Sequence, residues 1–132
     1  MNFKYIAVLL ILILVIACSL DYENPLDPNN SGIDVPPKVR GLNVVLTWQD
    51  SVYITWHPIT NSQIDGYYLY RSLDENGYYR PLTEANLSPV DTLYKDSEVN
   101  IVQKEYWYKI SAFKAVADTV LEGYRSEPET WN

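Results

Sequence analysis

The sequence has one cysteine and one histidine in 132 residues. One cysteine excludes a disulfide within the chain and a thiolate metal site, so any fold must rest on its apolar core. One histidine, His57, excludes a histidine cluster for a metal and gives a nucleophile little chance of the oriented base it needs. Cations are scarce as well: 10 Lys and Arg face 17 Asp and Glu, for a formal charge of −7. Nucleic-acid binding needs clustered cations to neutralise phosphates, so no nucleic-acid partner is expected. No apolar run reaches the roughly 20 residues that a helix needs to cross a bilayer. Phenylalanine is nearly missing, with 2 residues, while Tyr and Trp number 12 and 4. Tyrosine joins a large apolar ring to a polar tip, and aromatics favour strands, so the composition leans toward an all-β domain.

The longest apolar run, residues 5–17, follows Lys4 and ends in Val15-Ile16-Ala17-Cys18. Its length suits the apolar region of a secretory signal. With small Ala17 before the sole cysteine, it resembles the lipobox of bacterial lipoproteins. That resemblance implies a diacylglyceryl group on the Cys18 thiol and cleavage between Ala17 and Cys18. Each buried acyl methylene adds about 0.8 kcal/mol of membrane affinity, so two or three chains anchor durably. The membrane is then a partner through acyl chains on Cys18 and not through charge. Ser19 follows the cysteine, where enterobacterial sorting uses Asp to retain lipoproteins at the inner membrane; by that analogy the outer membrane is favoured. Residues 1–17 read as a signal peptide, 18–35 as the lipidated cysteine with a linker, and 36–132 as a folded domain. The linker's prolines leave no room for a helix or an interior strand. Asp27, Asn29, Ser31 and Gly32 match a calcium loop, but its twelfth position is Lys38 where a bidentate Glu is required, so no metal or other cofactor is expected.

From Pro36 onward short alternating runs are separated by turn residues. Leu42, Val44 and Leu46 share one phase; Val52, Ile54 and Trp56 share another. Tyr67 and Leu69 alternate with Tyr68 and Tyr70. Tyr106, Tyr108, Ile110 and Ala112 alternate with Glu105, Trp107, Lys109 and Ser111. This is the period of half-buried strands, and its spacing fits a sandwich of two antiparallel sheets. The stretches "PPKVRGLNV", "SVYITWHP", "IDGYYLYRS", "YYRPL", "DTLYKDSEV", "EYWYKISAF" and "EGYRSEP" resemble, in order, the pattern of fibronectin type III domains. The resemblance implies a seven-stranded, immunoglobulin-like sandwich. Trp56 would be its buried tryptophan, Tyr67 and Leu69 an inward pair, and Leu93 the leucine near the fifth strand. Tyr106 would supply the tyrosine corner, and "EGYRSEP" would open the last strand. Residues 114–123 lengthen the preceding loop, and their alternating Val116, Val120 and Leu121 read as a ribbon. No Arg-Gly-Asp is present. Trp131, near the end, is expected to matter far less than Trp56.

No catalytic constellation is visible, and no enzyme is expected. His57 reads as an exposed residue at a strand end. Asp50, Asp65, Asp74, Glu75, Asp91 and Asp96 fall in turns and at strand ends, where solvated charges lie. The aromatic residues are more informative. Tyr68, Tyr70 and Trp107 should point away from the core on neighbouring strands, with Lys109 beside them and Tyr78 and Tyr79 continuing the row. Such a face can anchor a protein or stack a glycan. It can equally serve to stabilise the sheet through cross-strand pairs. Two functions follow: a lipid-anchored extracytoplasmic binding or scaffold module, or an accessory carbohydrate-binding lipoprotein of a polysaccharide-handling system. A small hydrolase is a third class for which the residues are lacking.

Overall fold

Alternation is the organising feature of this chain because strands here have one face to bury. The structure, a computed structural model, describes residues 34–47, 51–82, 87–102 and 104–131. The expected lipidation at Cys18, the linker before residue 34 and the calcium-loop positions Asp27, Asn29, Ser31 and Gly32 lie outside the described residues. The described residues form seven strands: β1 (Asn43–Leu46), β2 (Val52–Thr55), β3 (Gly66–Ser72), β4 (Arg80–Pro81), β5 (Leu93–Asp96), β6 (Trp107–Val116) and β7 (Thr119–Glu122). They make two antiparallel sheets, ordered β1-β2-β5 and β4-β3-β6-β7.

The inward phases meet between the sheets as the alternation requires. Val44, Val52, Ile54 and Trp56 from one sheet pack with Tyr67, Leu69, Tyr108, Ile110 and Ala112 from the other. Each large aliphatic side chain fully buried there contributes about 1.5–3 kcal/mol. Trp56 meets Tyr67 edge-on, with ring centroids 5.5 Å apart. The Tyr67 hydroxyl accepts the Ile59 N–H at 3.0 Å and so fixes the chain leaving β2. Tyr106 forms the expected corner: its hydroxyl accepts the Asn100 N–H at 3.1 Å while its ring stays buried.

One expectation is corrected and two are refined. Leu93 is 51% exposed, because the inward positions of β5 are Tyr94 and Asp96. The segment "EGYRSEP" does not open the last strand. β7 begins at Thr119, in the ribbon, and Gly123 and Ser126 merely continue to donate to the carbonyls of Ala112 and Ile110. The ribbon is real: Val116 pairs with Thr119 across a two-residue turn, where Ala117 has a φ of 51°. Trp131 is half-buried, its ring centroid 6.0 Å from that of Tyr106, so the chain end is part of the packing. After β7 the chain passes so close to the incoming segment that a Cβ on Gly123 would overlap the Pro36 carbonyl oxygen. Lys38 and Glu127 form an ion pair at 2.6 Å beside that crossing.

Candidate functional surfaces

The β3–β6 register sets Tyr68 opposite Ser111, Tyr70 opposite Lys109 and Ser72 opposite Trp107. All three expected aromatics therefore lie on the outer face of the four-stranded sheet, opposite to Tyr67 and Leu69. Their exposure differs from expectation. Tyr70 is only 4% exposed, because the Arg125 guanidinium sits 3.7 Å from its ring centroid. Tyr68 stacks on Phe113 with centroids 4.4 Å apart, and it remains half-buried, as does Trp107. Lys109 lies 4.4 Å from the ring centroid of Tyr79, which is itself buried. Tyr78, by contrast, leaves the row and is 79% exposed at the end of the sandwich.

Beneath these rings is a hydrogen-bond knot that the sequence did not disclose. The Tyr70 and Ser111 hydroxyls both donate to one Glu122 oxygen at 2.7 Å, and Arg125 Nε donates to it at 3.3 Å. Burial, then the hydrogen bond to Glu122 and its charge, push Tyr70 up to about 12. Burial alone would raise Glu122, but the donors Ser111, Tyr70 and Arg125 hold its carboxyl below the usual value. Phe113, Glu122 and Arg125 were missed because their roles depend on how β7 pairs with β6. The available signal was Ser111 and Phe113 sharing the outward phase of Trp107.

A second surface lies at one end of the sandwich, between the β3–β4 turn, β4 and residues 98, 104 and 106 ahead of β6. It is a groove of about 600 Å³ lined by, among others, Arg71, Tyr78, Arg80, Lys104 and Tyr106. One of its lining residues, Arg71, also makes an ionic contact between the sheets. Arg71 Nη1 donates to Asp96 Oδ2 at 2.7 Å, and the Tyr108 hydroxyl donates to the same oxygen at 3.0 Å. The Glu98 N–H donates to the other oxygen at 3.0 Å. Asp96 is 2% exposed, which corrects its reading as a solvated charge. Burial and the Asp96 carboxylate together raise Tyr108 well above its ordinary value. Burial works against the Arg71 charge, but the bond to Asp96 outweighs it and raises Arg71.

His57 is exposed, and its N–H donates to the Arg40 carbonyl at 2.9 Å. Among the described residues no group of His, Cys, Asp or Glu side chains is arranged to hold a metal ion.

No protein-family model matches the sequence, and no curated protein matches it either. Solved structures do resemble the fold. An Fn3-like protein from Clostridium thermocellum superposes with a TM-score of 0.62 at 23% identity, over 75% of this chain and 94% of that one. The FN1–FN3 domains of chicken CNTN1 superpose with a TM-score of 0.59 at 16% identity, over 74% of this chain and 32% of that one. At these identities the likeness concerns architecture. Three strands facing four, with Trp56 in the core and the Tyr106 corner at the edge, give this chain the fibronectin type III fold.

Proposed function

We propose that the chain is a lipid-anchored, non-enzymatic binding or scaffold module of the cell envelope. Acyl chains on Cys18 would hold it, in the outer membrane by the analogy of Ser19, and the outer face of the four-stranded sheet would meet a protein partner. The observation that carries the binding role is the state of Tyr68 and Trp107. Both are half-buried on that face, Tyr68 held by stacking on Phe113, while Tyr70 and Tyr79 are covered by Arg125 and Lys109. Aromatic anchors held in place lose little entropy on association, which favours them as interface centres. Tyr70 supports the face from beneath and is not itself a contact.

The anchor is tested by metabolic labelling with a palmitate analogue: the wild type takes the label and Cys18→Ala does not. Equal labelling of both ends the lipid reading. The face is tested by pull-down from native membranes. Tyr68→Ser with Trp107→Ser should lose the partners that the wild type captures while its melting midpoint moves by only a few degrees. An early melt with undiminished capture would make the face purely structural.

A further inference from the structure

The end groove holds charges that no ion pair among the described residues compensates. Arg71 and Arg80 are direct cross-strand partners. Like charges placed so cost stability unless an anion lies between them. Arg71 has Asp96 as its counterion. Arg80 makes no ion pair or ring contact among the described residues, and neither does Lys104 on the opposite wall. Both are exposed, on a chain whose formal charge is −7. Asp74 and Glu98 also line the groove, yet neither lies within ion-pair distance of these cations. Asp74 spends one oxygen on the Asn76 N–H at 2.9 Å. At the rim stands the Tyr78 ring, 79% exposed.

We infer that this groove binds an acidic polysaccharide built of uronic acids. Separated cations and carboxylates beside an open ring suit a ligand that carries carboxylates and hydroxyls on the same flat-faced unit. Sugar carboxylates would pair with Arg80 and Lys104, sugar hydroxyls would donate to the remaining oxygens of Asp74 and Glu98, and a pyranose face would lie on Tyr78. An acidic peptide suits the site less well. Its carboxylates sit on flexible side chains and its donors are backbone N–H groups on a separate part of the chain, whereas a uronate unit carries carboxylate and hydroxyls on one rigid ring that can also lie on Tyr78. Nor can the neighbouring edge take up an added strand, since β4 has two residues and Pro81 has no N–H to donate. The inference rests on the reading of the domain as a binding module, and it is independent of the lipid anchor and of the outer sheet face.

The full chain, purified in detergent micelles, is titrated with alginate and hyaluronate, and with dextran and poly-glutamate as neutral and peptide counterparts. At least one of the two uronate polymers should bind, with the affinity falling as salt is added, while dextran and poly-glutamate bind at least tenfold more weakly. Arg80→Gln with Lys104→Gln should reduce binding tenfold or more. Arg40→Gln with Lys114→Gln removes the same charge elsewhere and should change it by less than twofold. Tyr78→Ala, at an exposed ring, should weaken binding severalfold and keeps the test decisive if the double variant unfolds. Tyr68→Ser with Trp107→Ser should bind the polymer as the wild type does. Binding to neither uronate polymer, equal loss in the two charge variants, or equal affinity for poly-glutamate overturns the inference. Capture of a protein partner through Tyr68 and Trp107 would survive any of these, so the two readings can fail separately.

Discussion

Trp56 is 3% exposed and its indole N–H has no partner among the described residues. Its contribution is therefore apolar burial and the edge contact with Tyr67, reduced by one unpaired donor. Trp56→Ala should cost about 3–5 kcal/mol, most of the stability of a typical small domain. Trp56→Phe should cost far less, because it removes the unpaired donor together with part of the ring. Trp131→Ala should cost on the order of 1–2 kcal/mol, in keeping with its half-buried place against Tyr106. A urea melt of the chain lacking residues 1–35 measures all three. Equal midpoints for the two Ala variants would mean that the core is centred elsewhere.

At the scale of strands, Glu122 ties the edge strand β7 to its neighbour β6 through Ser111 and to β3, one strand further in, through Tyr70. The folded carboxyl titrates below its ordinary 4.5. Above that value both folded and unfolded chains are ionised, and the stabilisation is present in full. As pH falls, the unfolded chain binds its proton first, and stability drains until pH passes through the lower folded value. Glu122→Gln should flatten that part of a stability-against-pH curve and leave the rest unchanged. Tyr70 has the opposite sign. Its folded value of about 12 exceeds the ordinary 10.0, so its share is complete below pH 10.0 and is lost as pH rises toward 12. Tyr70→Phe should reduce the alkaline loss and leave the share that Tyr108 contributes; an unchanged curve in either variant would show that the knot contributes nothing. The alternation of β2, β3 and β6 was legible because each presents apolar residues at every second position. Leu93 does fall in β5, but the inward phase of that strand holds Tyr94 and a charged Asp96, so hydrophobicity alone does not mark its buried face.

In the whole molecule, Arg71 and Asp96 tie one sheet to the other at a single end. Both occupy inward phases, Arg71 after Tyr67 and Leu69, Asp96 after Tyr94. Two opposite charges in core positions are a readable sign of a pair, but only once it is known that β3 and β5 face each other. The end groove was less legible still, since it is made by turns whose side chains converge only after the sheets are stacked. The order of the strands was legible through the resemblance of seven stretches taken together and not from each alone, since β4 has two residues and β7 begins ahead of its expected stretch. The incoming segment adds a mechanical consequence. Pro36 is wedged against Gly123, Lys38 is clasped by Glu127, and the Arg40 carbonyl takes the His57 N–H, all before β1 begins. A pull applied at the N-terminal side loads these three contacts ahead of the β1–β2 ladder. The first event under tension is then the release of a short lead of chain with both sheets intact. The segment would then act as a fuse that lengthens the molecule under tension before either ladder opens, at the cost of withdrawing the buried Val39 from the core.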